Sequence, residues 1–331
     1  MSKNVKRQLP NPIKLAQLMR FRGPSLNRKK ARLTRAATIW DLRDIAKKRT
    51  PQGPFDYTDG AAESEVSLDR ARQAFRDIEL VPNILRDVSD VDLTREVFGV
   101  THQMPMGIAP TGFTRLMQTE GEIAGARAAQ KFGIPFSLST LGTTSIEDVV
   151  KAAPNGDNWF QLYMWKDREG SMALVERARQ AGVKTLHLTV DVPAAGHRLR
   201  DTYNGLTIPP TLTVKTLLNA IPRPAWWMNF LTTPAIEFAS MSSWNGTVAE
   251  LLDYMFDPTM TFEDLKWIRS EWDGNLIVKG VQNLEDAKMA AKLGADAVLL
   301  SNHGGRQLDG ALSSIRALPP IADAVQGDIK I

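Results

Sequence analysis

Cysteine is absent from the 331 residues, which removes disulfides, thiolate metal ligands and cysteine nucleophiles together. That composition is compatible with a reducing compartment and does not prove one. No stretch approaches the roughly 18 uncharged apolar residues that a membrane-spanning helix needs, so a soluble or peripheral protein is expected. A secretory signal is not expected either, because the short Leu/Met run near the N-terminus is interrupted by Lys14 and Arg20. Acidic side chains are missing from the first 40 residues, which carry eleven Lys and Arg. The rest of the chain holds 30 basic against 37 acidic residues, a net of −7. An acidic body behind a basic leader argues against nucleic acid as a partner. The leader, residues 1–36, is either a solvated arm or a segment that touches anionic lipid, at about 1 kcal/mol per basic residue near the surface.

With 43% hydrophobic and 24% charged residues, the chain can bury a sizeable core, either as one large α/β barrel or as two ordinary domains. Ala37–Lys48 is predicted helical, with Thr38 as its cap. Pro51, Gly53 and Pro54 break it. Glu63–Phe75 is again helical, and Ile78–Val81 is extended. From Met104 a regular alternation begins. The β-rich runs are Met104–Ala109, Ile134–Ser139, Trp159–Tyr163, Thr185–Val190, Leu276–Lys279 and Ala297–Leu300. Helical stretches fall between them at Glu120–Phe132, Ser145–Ala152, Ser171–Ala181, Phe262–Trp272 and Leu284–Leu293, several closed by glycine (Gly133, Gly182, Gly294).

Such alternation implies a parallel sheet, open or closed. The polar residues at the strand ends favour closure: Pro110-Thr111-Gly112, Ser139-Thr140, Gln161 with Tyr163, Thr189 with Asp191, Lys279-Gly280 and Ser301-Asn302-His303. Six consecutive units placing polar groups at the same end form a ring around one site, the signature of a (β/α)8 barrel. An open sheet would concentrate them at one switch point. One connection, about residues 200–260, is far too long. It is rich in Pro and aromatics (Trp226, Trp227, Met228, Phe230, Leu231 beside Arg223), and is either a lid or subunit contact or an interfacial membrane segment.

The most specific string is SNHGGRQLDG, Ser301–Gly310. His303 follows a β-run, is flanked by Gly304 and Gly305, and has a guanidinium three residues on at Arg306. Histidine offers a base near neutral pH, and arginine grips a carboxylate through its planar fork. Base and clamp on one loop suit proton abstraction from a small acid, although a structural loop explains the string equally well. The other histidines, His102, His187 and His197, are expected to be structural.

This string resembles the active-site signature of the FMN-dependent α-hydroxy-acid dehydrogenase and oxidase family. FDYTDGAAE, IAPTGFTRL, SLSTLGTTSIED, WFQLYMWKDR, LTVDVPAAGHRLRD and LIVKGVQNLEDA resemble further family motifs in family order. The leader, DYTDGAAE, GFTRLMQTEGEIAGARAA and the aromatic insertion together look most like its bacterial, quinone-linked L-lactate dehydrogenases. The resemblance implies an FMN-linked TIM barrel over residues 37–331 that oxidises an L-2-hydroxy acid, most nearly L-lactate, to the 2-keto acid. Quinone would be the acceptor. The enzyme would be cytoplasmic or peripheral on the inner membrane face, and homo-oligomeric. Carried over to this sequence, His303 takes the substrate proton and Asp191 orients it. Arg198 and Arg306 clamp the carboxylate, with Tyr57 and Tyr163 as hydrogen-bond donors. Pro110, Thr111, Gly112, Ser139, Gln161, Thr189, Lys279 and Ser301 hold FMN, Lys279 at the flavin edge where reduction accumulates charge. No metal is implied. Leu141 occupies a variable pocket-lining position.

One departure stands out. The segment GDIKI, 327–331, resembles the start of the family's seventh strand, and the loops that would grip the FMN phosphate lie beyond it. The expectation is therefore a barrel truncated after about the start of strand seven. The alternatives are a non-catalytic fragment, or an oxidase or other 2-hydroxy-acid enzyme acting on glycolate or mandelate. A sibling FMN barrel for another substrate class is disfavoured by the set Arg198, Arg306 and Tyr57, which suits a small free carboxylate.

Overall fold

The computed structural model describes residues 9, 11–19, 27–205, 214–234, 236, 238–241 and 255–331. Lys3, Lys6, Arg7, Arg20 and Arg22 of the basic leader, and residues 207–213 of the long insertion, lie outside the described residues.

The chain forms two compact units, Met1–Lys47 and Lys48–Ile331. The first contains helices α1 (Pro12–Leu18) and α2 (Arg28–Arg35) and most of α3 (Ile39–Arg49). Asn11 and Asn27 cap the first two through their side-chain oxygens. At α3, the expected cap works in both directions: Thr38 Oγ1 accepts from Asp41 N, and Asp41 Oδ2 accepts from Thr38 N.

The second unit begins with α4 (Gln52–Asp59) and α5 (Val66–Arg76), followed by an antiparallel hairpin of β1 (Arg95–Val97) and β2 (Val100–His102). The α/β alternation then runs α6 (Gly121–Phe132), β3 (Phe136–Ser139), α7 (Ile146–Ala152), β4 (Asn158–Tyr163), α8 (Arg168–Gln180) and β5 (Thr185–Thr189). The insertion contributes α9 (Leu199–Asn204), α10 (Val214–Ala220) and α11 (Pro224–Leu231). After it come α12 (Phe262–Glu271), β6 (Asn275–Val281), α13 (Leu284–Lys292), β7 (Ala297–Leu300) and α14 (Ser314–Val325).

Strands β3 to β7 pair in parallel in sequence order. A bridge from Ile108 to Phe136 extends the sheet on one side, and one from Ala297 to Lys330 on the other. Seven chain positions thus lie side by side without any reversal of order. That is the winding of a barrel, and it lacks the switch point of an open doubly wound sheet. Among the described residues no helix is long and apolar enough to cross a membrane.

The strands are buried on both faces, but the faces differ in chemistry. Leu138, Phe160, Leu162, Leu186, Leu188, Leu276 and Val278 join one core with Ala126, Val149, Val175, Ala178, Ile268 and Ala290 from the covering helices. Each such aliphatic side chain contributes about 1.5–3 kcal/mol by leaving water. The alternating positions, Ser137, Ser139, Gln161, Thr185, His187, Thr189 and Lys279, are equally buried and polar. A barrel interior of this kind needs partners for its donors and acceptors, because each one left unpaired costs about 1–3 kcal/mol.

Two expectations are corrected. Met104–Ala109 is not a strand; only Ile108 pairs, donating to Pro135 O and accepting from Ser137 N, because Pro105 and Pro110 remove neighbouring donors. The helix expected from Glu63 starts at Val66, since Glu63 and Glu65 have φ of +45° and +62°. Ile78–Val81, expected to be extended, lies outside any helix or sheet and is exposed. The glycine stops hold: Gly133, Gly182 and Gly294 all have positive φ.

Candidate active site

Each barrel strand delivers its last inward side chain to the same end, and neighbouring strands fix those side chains to one another. Ser139 Oγ donates to Gln161 Oε1 at 2.9 Å, and Thr140 Oγ1 donates to Gln161 O at 2.6 Å while accepting from Tyr163 N. With its carbonyl held by Ser139, Gln161 turns a buried amide nitrogen, Nε2, into the interior without a partner. Thr189 Oγ1 is likewise buried and has no partner among the described residues. Lys279, 7% exposed, reaches only Ser301 Oγ, at 3.4 Å, among the described residues. Burial lowers the pKa of its ammonium, and the nearby Asp191 carboxylate opposes that shift. A buried ammonium beside unpaired amide and hydroxyl groups suits a polar, electron-rich ligand.

Above this floor sits the loop after β7. Ser301 Oγ accepts from His303 N at 3.0 Å, and Asn302 Oδ1 accepts from Gly305 N, so the turn is pinned by its own side chains. His303 adopts φ +56°, a conformation uncommon for a non-glycine residue and often found at functional sites. Its ring is held at both nitrogens: Nδ1 lies 3.0 Å from Asp191 Oδ1 and Nε2 lies 3.2 Å from Tyr163 OH. The second Asp191 oxygen is buried without a partner among the described residues. Burial, reinforced by Asp191, pushes the Tyr163 hydroxyl well above the usual phenol range, so it stays a neutral donor. The carboxylate sets the imidazole tautomer and can stabilise imidazolium once a proton arrives.

Tyr57, on α4, packs against two guanidinium groups: Arg198 Cζ is 5.1 Å and Arg306 Cζ 5.2 Å from its ring centroid. Each arginine is anchored on one side only. Arg306 Nη1 donates to the carbonyls of Tyr57 and Gly60 at 2.7 and 2.8 Å, and Arg198 Nε lies 3.3 Å from Asp201 Oδ2. The remaining nitrogens of both forks have no protein partner among the described residues and can receive an anion. Burial and the neighbouring Arg198 hold the Arg306 pKa below its usual value, and burial raises the Asp201 carboxyl.

Opposite, the segment Pro110–Gly112 lies against Leu141. Phe113 N donates to Leu141 O at 3.1 Å, and a β-carbon on Gly112 would stand 2.7 Å from Leu141 Cβ. The structure therefore gathers His303, Asp191, Tyr163, Tyr57, Arg198 and Arg306 into one cluster. Lys279 and Ser301 join it through His303, Ser139, Gln161 and Thr189 line the interior beneath, and Pro110–Gly112 lies on a separate loop held to Leu141. Two contributors were missed from the sequence, Asp201 and Gly280, and so was a buried acid, Glu122, whose hydrogen bonds go to none of these site residues. Asp201 was legible in principle as the acid three residues after Arg198. Glu122, 2% exposed, accepts from Thr143 N and both Thr143 and Thr144 hydroxyls; burial acts to raise its pKa, but these hydrogen bonds prevail and lower it. Gly280, with φ +116°, backs directly onto Asp191. Of the other histidines, His102 is buried 3.4 Å from Asp157, and His187 is held neutral by burial, which pushes its pKa down to about 3.

Comparison with known proteins agrees with this architecture. A family model described as FMN-dependent dehydrogenase matches residues 46–331. A Mycobacterium tuberculosis protein whose name assigns it provisionally as an L-lactate dehydrogenase is 57% identical over 318 residues, covering 96% of this chain and 77% of that protein. An L-lactate dehydrogenase of Xanthomonas campestris is 43% identical over 298 residues, covering 88% of this chain and 77% of its own length. Among solved structures, the monotopic membrane protein (S)-mandelate dehydrogenase matches with TM-score 0.84 and 37% identity, over 88% of this chain and 78% of that one. Mandelate oxidase matches with TM-score 0.75 and 35% identity, over 89% and 77% respectively. Fold, cofactor class and chemistry converge, and the chain belongs to the FMN-dependent dehydrogenase family of TIM-barrel oxidoreductases that act on 2-hydroxy acids.

Proposed function

We propose that this barrel oxidises L-lactate, or a near analogue, to the corresponding 2-keto acid, and that the electrons pass from FMN to a quinone at a membrane face. The observation that carries the reading is the pair of half-anchored guanidiniums around Tyr57, set beside a histidine held by a carboxylate.

The chain's own residues suit the cofactor. Among the described residues Gln161 Nε2 and Thr189 Oγ1 are buried without partners, and the buried Lys279 ammonium has one hydrogen-bond partner, the Ser301 hydroxyl. A flavin ring bearing carbonyl oxygens and ring nitrogens complements that set. Ser139, Gln161, Thr189, Lys279, Ser301 and the backbone of Pro110–Gly112 would hold it. Bound FMN supplies a two-electron acceptor, and a cation at its edge favours the reduced form.

Arg198 and Arg306 receive the substrate carboxylate through their open forks, and Tyr57 and Tyr163 orient the substrate oxygens. His303 accepts the proton of the hydroxyl or of the α-carbon at Nε2, with Asp191 stabilising the resulting imidazolium through Nδ1. Proteins named L-lactate dehydrogenase at 43–57% identity support lactate. The mandelate enzymes at 35–37% identity support a second reading, a bulkier 2-hydroxy acid in the pocket beside Leu141.

The monotopic neighbour supports peripheral membrane association, with the basic leader and the aromatic insertion as the contacts. Flotation on anionic liposomes with residues 1–36 removed tests the leader; unchanged binding clears it. A homo-oligomer belongs to the same proposal.

The deciding experiment is a visible spectrum of the desalted protein, repeated after anaerobic addition of L-lactate or (S)-mandelate. Bleaching by lactate alone is expected, and bleaching by mandelate alone replaces the first reading with the second. A folded protein with no flavin band would make this chain a non-catalytic fragment.

A further inference from the structure

We infer that a cavity at the N-terminal end of α4 is the docking site of the lipid-soluble electron acceptor, a neutral ring compound of the prenylated quinone class. The inference rests on the reading above that electrons leave FMN for such a molecule. The cavity holds about 420 Å³, within the ~300–1,000 Å³ usual for small-molecule sites. It lies among the start of α4, the end of α9, and helices α10 and α11.

Its chemistry selects the ligand. Pro54, Leu116, Ile221, Trp227 and Phe230 supply apolar walls, and among the described residues no ionisable side chain lines it. A hydroxy acid would enter with its charge unpaired, so this is not a second site for the substrate. Trp226 and Phe230, both on the lining, stack with rings 5.0 Å apart and 14° from parallel, aromatic surface suited to a planar ring. Of the polar groups present, Asn219 Oδ1 already accepts from Gln52 N and Arg223 Nη1, and Asn204 donates to Asp56. The Gln52 side-chain amide makes no hydrogen bond among the described residues and is available to a ring carbonyl at the rim.

Its position links it to the chemistry. Pro54 lines the cavity, and Tyr57, one helical turn later on α4, is the ring against which Arg198 and Arg306 pack. That turn is about 5 Å of helix axis. The far wall is fixed to the barrel by Trp226 Nε1, which donates to Leu116 O at 2.8 Å, and Phe113 just before it packs edge-on to Tyr57 at 6.2 Å. Val214, Leu218 and Met228 of the same helix pair are exposed, giving an apolar approach that suits a ligand arriving from a bilayer. The exchange balances: the 2-hydroxy acid loses two electrons and two protons, and the quinone gains two of each to become a quinol.

The test uses the FMN-loaded chain, decylubiquinone as the probe, and the variants Ala220→Phe and Thr216→Phe, which fill the cavity without touching the proposed substrate or flavin residues. Tryptophan fluorescence should be quenched saturably in the parent, and the dissociation constant should rise at least tenfold in both variants. Flavin bleached anaerobically by L-lactate should be reoxidised by the quinone at least tenfold more slowly in both variants, and by ferricyanide at the parent rate. Parent-like quinone reoxidation and quenching in both variants would overturn the assignment. If no hydroxy acid bleaches the parent flavin, the functional reading fails, and the quenching titration still decides the cavity. Bleaching by lactate in each variant shows that it has folded.

Discussion

A β-carbon on Gly280 would stand 2.6 Å from the Cβ of Asp191 and 2.8 Å from its carboxyl carbon. Gly280 sits where the register of β6 against β7 shifts, between Lys279 and Val281, at φ +116°. The absent side chain is what lets the carboxylate reach His303. Gly280→Ala should displace Asp191 and lower kcat by about 100-fold, the scale of a small misplacement at a reacting centre. KM should change little, because neither arginine moves. Steady-state kinetics with the flavin spectrum as a folding control will check this.

His303 and Arg306 share a loop but should fail differently. His303→Gln should lower kcat by about 10²–10⁴-fold, the usual contribution of a general base, with flavin binding retained. Arg306→Met should act mainly through KM, because it removes one fork of the carboxylate clamp. Near-normal turnover in His303→Gln would refute the mechanism.

Asp201 anchors Arg198 through Nε and leaves its other nitrogens open. Asp201→Asn should raise KM several-fold at constant kcat, since the guanidinium keeps its charge and loses its orientation. Burial raises the Asp201 carboxyl, so in the parent the anchor weakens as pH falls towards that raised value. KM should therefore climb on the acid side in the parent, and this climb should be absent from Asp201→Asn.

His187 predicts the shape of acid unfolding. Its pKa is about 3 in the fold, against 6.5 unperturbed. Between those values the unfolded chain binds the extra proton, so stability is complete above about 6.5 and is lost as pH falls towards 3. The loss is on the order of a few kcal/mol. In His187→Gln, the drop in Tm between pH 7 and pH 5 should shrink; an unchanged drop would assign acid sensitivity to other groups.

Lys279 carries its positive charge into the barrel against the cost of burial. Lys279→Met should raise the Tm of protein without added FMN, because removing the buried ammonium removes that cost. The same substitution should weaken FMN binding, measured by fluorescence titration. A variant that lost stability and kept full flavin affinity would show the ammonium to be a structural ion.

The barrel was legible from Ile134 onward because parallel strands buried on both sides read as short β-rich runs, and glycines close the helices between them. Legibility failed where conformation departs from propensity. Phe98 and Gly99 join β1 to β2 with φ of +52° and +77°, the two-residue turn that a hairpin requires, but phenylalanine rarely takes that shape and gives no warning of it. The loop bearing His303 and Arg306 offered residue types suited to proton abstraction beside a carboxylate, but a structural loop explained them equally well. The gathering of Tyr57, Arg198, Lys279 and the rest into family order came from resemblance, since each in isolation reads as ordinary. Gly280 and Asp201 escaped because their parts are played by a missing atom and by an orientation.

The hydrogen bonds from Arg306 to Tyr57 and Gly60 join segments separated by 249 and 246 residues. Asp309 likewise accepts from Ser64 N and Ser67 N across more than 240 residues. The anchorage of Arg306, the proposed substrate clamp, is therefore among the most non-local features of the described residues. Helix α4 emerges from the ribosome long before its partner loop exists, and closing so long a loop is entropically costly and slow. Strand pairing from β3 to β7 can proceed unit by unit as each hairpin of strand and helix is made. The site, in contrast, waits for the last of them, so refolding should restore secondary structure before it restores the environment of Tyr57.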